Sequence, residues 1–394
     1  MSERLIQPIS DQELQRRWTA AAEVMRVKKL DALVMQNSND WLGGYVRWFT
    51  GIPANNGYPR TVLFFGAGDM VVIEMGGRGE RKTPDPTDII WRGVKEVRFN
   101  PSFSTVSGTL AVDARIAADV LQERGAKRVG WVNPDGAYFA FARALKASLG
   151  GRQLIDTSHE IDRAKAVKSA EEQQLIRVTC ALQDAVMEAV TGFIKPGLHD
   201  FEIAAFAQYE AQKLGSEQGI FLGSSSHSGS AAVFRPRHAQ GRKIEHGDAF
   251  AFLVEVNGPG GFYAELGRTF SLGRPSNALV VANQNAIEAQ KVTRELLKPG
   301  VSVKDIFKRH NEYMRSKGLP EENRLHCHGQ GYDLVERPLV RDDDNMQVLE
   351  GMNIAVHPGY VNDEAFALAC DNYLIGPDGA GECLHRTSQT LIVL

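Results

Sequence analysis

One recurrence constrains this chain more than any other feature of its sequence. Phe193-Ile194-Lys195-Pro196-Gly197 opens a segment that closes near Lys213-Leu214-Gly215. Leu296-Leu297-Lys298-Pro299-Gly300 opens another that closes near Ser316-Lys317-Gly318, and both copies keep one register. Proline cannot continue a helix, and glycine readily takes the left-handed conformation that ends one. Each copy therefore reads as a helix stopping at Lys-Pro-Gly, a second helix stopping at glycine, and strand-like segments after it. Two such units imply a pseudo-twofold domain with a shared site between its halves. Two unrelated helix stops are the alternative, and the common register counts against them.

Upstream the texture differs. Residues 10–29 read as a helix with Asp11 as N-cap and Leu14, Trp18, Ala21 and Met25 at helical spacing. Ala32–Met35 is a short buried strand. Thr61–Phe65 and Met70–Met75 flank a Gly66-Ala67-Gly68-Asp69 hairpin signal. Helices over Ala111–Arg124 and Ala137–Leu149 bracket a strand at Arg128–Val132. Alternating strands and helices predict a small α/β domain over residues 1–160, ahead of a larger α+β domain over 161–394. The stretch WLGGYVRWFTGIPANNGYPR has the Gly, Asn and Pro content of a surface loop. Its Trp41, Tyr45, Trp48, Phe49 and Tyr58 would be costly to expose, which favours a pocket or an interface.

A net charge of −3 gives no global field to draw the 394-residue chain to nucleic acid or an anionic membrane. No apolar run approaches the roughly 18 residues a membrane span needs. The polar, charged start is unlike a secretory signal. Four scattered cysteines without CxxC spacing make a disulfide framework or a structural zinc ribbon unexpected, so a reducing cytoplasm is the expected location.

Several segments could carry chemistry. Ala249–Val256 is a buried strand with Glu255, and Phe262–Phe270 is a returning strand with Glu265 and Arg268. Paired glutamates could form an acid/base or metal pair, or Glu255 and Arg268 could be a structural ion pair. His326-Cys327-His328-Gly329-Gln330-Gly331-Tyr332-Asp333 is the densest polar cluster. His326 and His328 share one face of an extended chain, and the glycines allow close backbone approach. Ala355-Val356-His357-Pro358 and Ala369-Cys370-Asp371 end two further strands. Glu265, His328, His357 and Cys370 could together hold one zinc or iron ion.

In this order the segments resemble the pita-bread family of creatinase, prolidase and methionine aminopeptidase. Lys168-Ser169-Ala170-Glu171-Glu172 is similar to the start of that family's catalytic domain. Tyr263-Ala264-Glu265-Leu266-Gly267-Arg268-Thr269-Phe270 resembles its Tyr-x-x-Asp-x-x-Arg-Thr-Phe strand. His328-Gly329-Gln330-Gly331 resembles its His-Gly-x-Gly segment, and Glu336-Arg337-Pro338 the Glu-x-Pro after it. His357-Pro358-Gly359 stands where Glu-Pro-Gly is usual, Cys370-Asp371 replaces Glu-Asp, and Gly381-Glu382-Cys383-Leu384 resembles the closing motif. The resemblance implies a pseudo-twofold antiparallel sheet flanked by helices, and a homodimer.

An ungapped match puts Val254, Glu265, His328, His357 and Cys370 at the five usual ligand positions. Two hard dications need several carboxylates, so a dinuclear manganese or cobalt centre is not expected. Val335 stands where a second histidine is usual. The resemblance to the metal-free creatinase places His238 as the acid/base. His328, Glu265, His326 and Asp333 complete the candidate catalytic set. Arg47, Trp48, Arg60, Tyr263 and Arg337 are candidates for binding substrate, because arginine binds carboxylates bidentately.

Three readings follow. The first is a C–N hydrolase or lyase acting on a small polar, carboxylate-bearing molecule with no cofactor. The second is the same chemistry with a single divalent iron or zinc. The third is a non-catalytic binder of peptides or proteins.

Overall fold

The computed structural model describes residues 8–36, 44–53 and 58–394. Trp41 and residues 54–57 of the aromatic stretch lie outside the described residues. The chain divides into two compact units, Pro8–Lys165 and one that takes in Ala166–Leu394.

In the first unit the helices are α1 (Asp11–Lys28), α2 (Gly44–Thr50), α3 (Leu110–Glu123), α4 (Phe139–Ser148) and α5 (Ser158–Ala166). The strands are β1 (Ala32–Gln36), β2 (Thr61–Phe64), β3 (Met70–Glu74), β4 (Arg81–Lys82), β5 (Val94–Phe99), β6 (Arg128–Trp131) and β7 (Gln153–Asp156). The expected boundary after residue 160 falls inside α5. Ser10, not Asp11, caps α1: its side chain accepts from the Glu13 amide at 3.1 Å. A serine one position earlier reaches the third helical N–H, and Asp11 serves the first turn by its charge. The seven strands form one mixed sheet in the order β4-β5-β3-β2-β1-β6-β7. The hairpin read at Gly66–Asp69 joins β2 and β3, which pair antiparallel.

The second unit carries the repeat. Its first half runs α6 (Ala170–Phe193), α7 (Asp200–Lys213), β8 (Gly219–Ser226), β9 (Ala249–Asn257) and β10 (Tyr263–Ser271). Its second half opens with α8 (Asn277–Leu296) and α9 (Val303–Ser316). The strands after them are β11 (Cys327–Gly329), β12 (Glu336–Leu339), β13 (Asn353–Val356), β14 (Gly359–Val361), β15 (Phe366–Leu368), β16 (Asp371–Gly376) and β17 (Gly379–Cys383). β18 (Ile392–Val393) returns to pair parallel with β10. α7 and α9 are both 14 residues long and begin and end at matching points of the two copies.

Local chemistry explains the start of the unit. Ser169 accepts from the Glu172 amide at 3.2 Å, and Glu172 accepts from the Ser169 amide at 2.8 Å. This reciprocal cap fixes the first turn of α6. Lys168 just before it makes a buried ion pair with Glu336, 3.1 Å long.

The first-half sheet has the order β18-β10-β9-β8, and the second-half sheet β12-β11-β13-β16-β17. On one face of β9 and β10, Val254, Val256 and Leu266 pack into a core with Val186 and Ile203 of the helices. The two sheets meet where Gly267 and Cys370 exchange backbone hydrogen bonds of 3.1 and 3.3 Å. Glycine is required at that meeting point, since a Cβ there would lie 2.5 Å from Leu368 and 2.9 Å from Cys370.

Candidate active site

The site lies on the face of β9 and β10 turned away from that core. Their antiparallel register sets Glu255 directly opposite Glu265. Side chains alternate along a strand, so with Val254 in the core Glu255 faces the other way. From the second half, Cys327 pairs with Val356, which places His326 opposite His357 just beyond the ends of β11 and β13. The His357 amide donates to the His326 carbonyl at 2.8 Å. His326, His328 and His357 thus share one sheet face.

One ligand atom each from Glu265, His328 and His357 lie within 4.8 Å of one another. His328 Nε2 is 3.6 Å from Glu265 Oε2, and the His328 and His357 rings meet edge-on at 5.0 Å. His328 Nδ1 lies 2.9 Å from the Gly329 carbonyl. A carbonyl only accepts, so Nδ1 carries the proton and Nε2 offers its lone pair to the cluster.

The two carboxyls differ in charge. Burial pushes the Glu255 carboxyl well above the usual carboxylate range, the negative charge of Glu265 adds to the push, and the Gln330 hydrogen bond only partly offsets it. For Glu265 burial acts in the same direction, but His357 and His328 outweigh it and bring the group down to about 2. Side by side, the two carboxyls are pushed in opposite directions, Glu255 up and Glu265 down.

A network of amides holds this floor. Gln330 Nε2 donates to Glu255 at 3.0 Å and lies 3.5 Å from Glu265. Asn372 donates to Gln330 at 2.8 Å and to Asn353 at 3.1 Å, and accepts from the Glu265 amide at 2.7 Å.

A cavity of about 490 Å³ opens onto Glu255, Glu265, His328 and His357. Leu222 and Phe366 supply apolar wall, and Arg324 is the one guanidinium that lines it among the described residues. His310 of α9 also reaches it, stacked face to face on His326 with ring centres 3.7 Å apart.

The expected site residues fall in several places. Glu265, His328 and His357 come together as a cluster. Cys370 is buried beside them, but its thiol donates to the Glu265 carbonyl at 3.4 Å, and burial and then Glu265 push its pKa far up. Its sulfur is not among the donor atoms that lie within 4.8 Å of one another. His326 is fully buried across the strand pair from His357. Asp333 lies in the loop after the His-Gly segment, and its backbone amide is 3.3 Å from Glu336. Tyr263 is buried in β10, and its amide donates to the Gly331 carbonyl at 2.7 Å. Arg337 pairs with Asp344 at 2.7 Å. His238 sits exposed on the short turn Arg237–Ala239 and does not line the cavity. Arg47, Trp48 and Arg60 are buried in the first unit, where Arg60 pairs with Glu74 at 2.8 Å and donates to the Pro53 carbonyl at 2.6 Å. The ion pair considered between Glu255 and Arg268 does not form. Arg268 points to the opposite side of the strand pair's end and binds Asp371 at 2.6 Å.

Sequence reasoning raised Glu255 as a possible acid/base or metal partner of Glu265 but left it out of the candidate catalytic set, and it gave Gln330 and His310 no role. An ungapped match puts the usual first aspartate at Val254, one residue short of Glu255. The loop of residues 258–262 was the available signal, since its length sets the register that turns Glu255 to the cavity.

Comparison with known proteins gives a consistent picture. The pattern described as metallopeptidase family M24 matches residues 174–381. An uncharacterized peptidase, YqhT, of Bacillus subtilis is 22% identical over 70% of this chain and 78% of its own length. An Xaa-Pro dipeptidase of Pyrococcus horikoshii is 25% identical over 64% of this chain and 72% of its own length. The crystal structure of X-Pro aminopeptidase from Thermotoga maritima superposes with a TM-score of 0.77 at 18% identity, covering 95% of this chain and 99% of that one.

Proposed function

The chain belongs to metallopeptidase family M24, and from that premise we propose a hydrolase that holds one divalent metal ion and cleaves a C–N bond in a small substrate. The observation that carries this reading is the cluster of Glu265, His328 and His357, with donor atoms within 4.8 Å of one another. Its chemistry fits a divalent metal: an ionised carboxylate, an imidazole whose proton is tied to the Gly329 carbonyl, and a second buried imidazole. Mixed nitrogen and oxygen donors suit zinc or iron.

A second hard dication is not supported. It would need further carboxylate ligands, whereas Glu265 is the one carboxylate in the donor cluster among the described residues, Glu255 is held by Gln330, and the Cys370 thiol donates to the Glu265 carbonyl. A bound metal would act as a Lewis acid on a substrate carbonyl. Glu255, facing the same cavity, is placed to exchange a proton with the leaving nitrogen. Arg324 offers a substrate carboxylate its partner, the role the sequence had assigned to other arginines. Hydrolysis is preferred to elimination because the relatives that carry names are dipeptidases.

Metal analysis of protein purified without added metal tests the reading, followed by turnover of dipeptides and N-acyl amides with and without chelator. About one zinc or iron per chain and chelator-sensitive hydrolysis are expected. Two metals per chain, or full turnover by metal-free protein, would overturn it.

A further inference from the structure

The two histidines of the cluster are supported differently. A histidine that gives one ring nitrogen to a metal must carry its proton on the other, and that N–H needs an acceptor. His328 has one in the Gly329 carbonyl, 2.9 Å away. For His357, Nε2 is buried and has no hydrogen-bond partner.

The residue directly across the strand pair from His357 is His326. Cross-strand neighbours on one face stand with Cβ atoms about 5 Å apart, close enough for two imidazoles to meet directly or through one water. His326 is fully buried, and neither of its ring nitrogens has a partner. Its face is taken by His310, stacked at 3.7 Å and 21°, and His310 is in turn held by Thr293 Oγ1 at 2.8 Å from Nδ1. Stacking fixes the ring plane of His326 and leaves its nitrogen-bearing edges available.

Buried polar atoms without partners are rare, because each costs more than an apolar group of the same shape. An interior position chosen for stability alone would hold Leu or Phe here. The two rings are not hydrogen-bonded to each other in this structure, and each keeps a buried nitrogen that the other could satisfy.

We propose that His326 is a positioning residue for His357, accepting the ring N–H that His357 must carry when its other nitrogen binds metal. His326 then does for His357 what the Gly329 carbonyl does for His328. The inference rests on the metal reading of the site and adds to it the group that orients the second imidazole.

The test uses the full chain, stripped of metal, with zinc as the probe. Zinc affinity is measured by competition with a fluorescent chelator, and thermal stability is measured without metal, for wild type, His326→Leu and His326→Gln. In His326→Leu, zinc affinity should fall about 10–100-fold, the range for lost support of a ligating histidine. Its metal-free melting temperature should stay level or rise, since two unpartnered buried nitrogens are removed. His326→Gln, which restores an acceptor, should recover most of the affinity. His326→Leu with zinc affinity within threefold of wild type would overturn the proposal. So would a lower metal-free melting temperature in both variants accompanying equal loss of zinc, which marks a merely structural role. Wild-type protein that takes up no zinc would instead refute the metal reading itself.

Discussion

In the first half of the repeat, two helices lead into β8, β9 and β10, whose cavity face offers Glu255 and Glu265. In the second half, two helices of matching register lead into β11 and β13, which offer His328 and His357 to the cavity and keep His326 buried beside them. The scaffolds are alike and their chemistry is opposite. The carboxyls are closed in by the amides of Gln330 and Asn372. Of the imidazoles, only His328 has its outer nitrogen satisfied, while His326 and His357 keep buried nitrogens without partners. A repeat can therefore duplicate a framework and still divide labour, one half supplying the carboxyls and the other the imidazoles.

The largest effect should come from separating the two carboxyls of the first half. Glu265→Gln removes the ionised ligand and should weaken zinc binding by more than the roughly 100-fold reached by outer support. Glu255→Gln replaces a carboxyl outside the donor cluster and should stay below that. Chelator competition reads both, and equal losses would erase the distinction between the two glutamates.

The next tests whether the halves depend on one another. Arg268 of the first half and Asp371 of the second form a fully buried pair. Arg268→Met leaves that carboxylate without its cation and should lower stability by about 3–5 kcal/mol in urea titrations at pH 7. A loss under about 1 kcal/mol would mean that the backbone bridge between Gly267 and Cys370 and the apolar packing join the halves without this pair.

A carboxyl outside both halves gives a yardstick for burial without a partner carboxylate. Asp113 is pushed up to about 6 by burial, against hydrogen bonds from Ser102 and Asn100. Its pKa is higher folded than unfolded, so its contribution is most favourable below about pH 4 and is lost as pH rises through 6. The loss by pH 7 is at most about 3 kcal/mol. Asp113→Asn keeps an acceptor oxygen for both partners, so stability should rise at pH 7 and flatten between pH 4 and 7. An unchanged pH profile would show that Asp113 ionises normally.

The smallest effect is expected from Gln330→Leu, which strips the amide from the floor. It should cost about 1–2 kcal/mol through unsatisfied partners and make the two carboxyls less distinct, visible as a smaller gap between Glu255→Gln and Glu265→Gln in that background. An unaltered gap would place the asymmetry in the histidines instead.

Much of the architecture was legible because its signals are local. Pro196 and Pro299 stop helices wherever they stand, and Ser169 with Glu172 writes a cap within four residues. The order of His328-Gly329-Gln330-Gly331 and Arg268-Thr269-Phe270 carried the fold. The carboxyl arrangement was not legible in the same way. Matching columns puts Val254 where an aspartate is usual, but a side chain's direction depends on strand pairing, and the pairing depends on a loop. Arg268 was likewise visible as a buried cation, while its partner Asp371 lies on a strand of the other sheet. Cys370 occupied a ligand's place in the chain, and only its contact with the Glu265 carbonyl shows how its thiol is used.

The guanidinium of Arg268 also bears on how the chain reaches this structure. Besides Asp371 it donates to the carbonyls of Cys370, Thr387 and Ser388. These acceptors lie between 102 and 120 positions further along the chain. Helices such as α6 and α8 need only nearby residues and can form in microseconds. Contacts between distant segments must first bring the ends of long loops together, and folding slows as such contacts come to dominate. The clamp around Arg268 is therefore a late event. Until it closes, β10 and β16 are not locked together, and the carboxylate and imidazole strands have no common frame. Refolding followed by zinc uptake should lag behind recovery of helical signal, with the lag set by this closure.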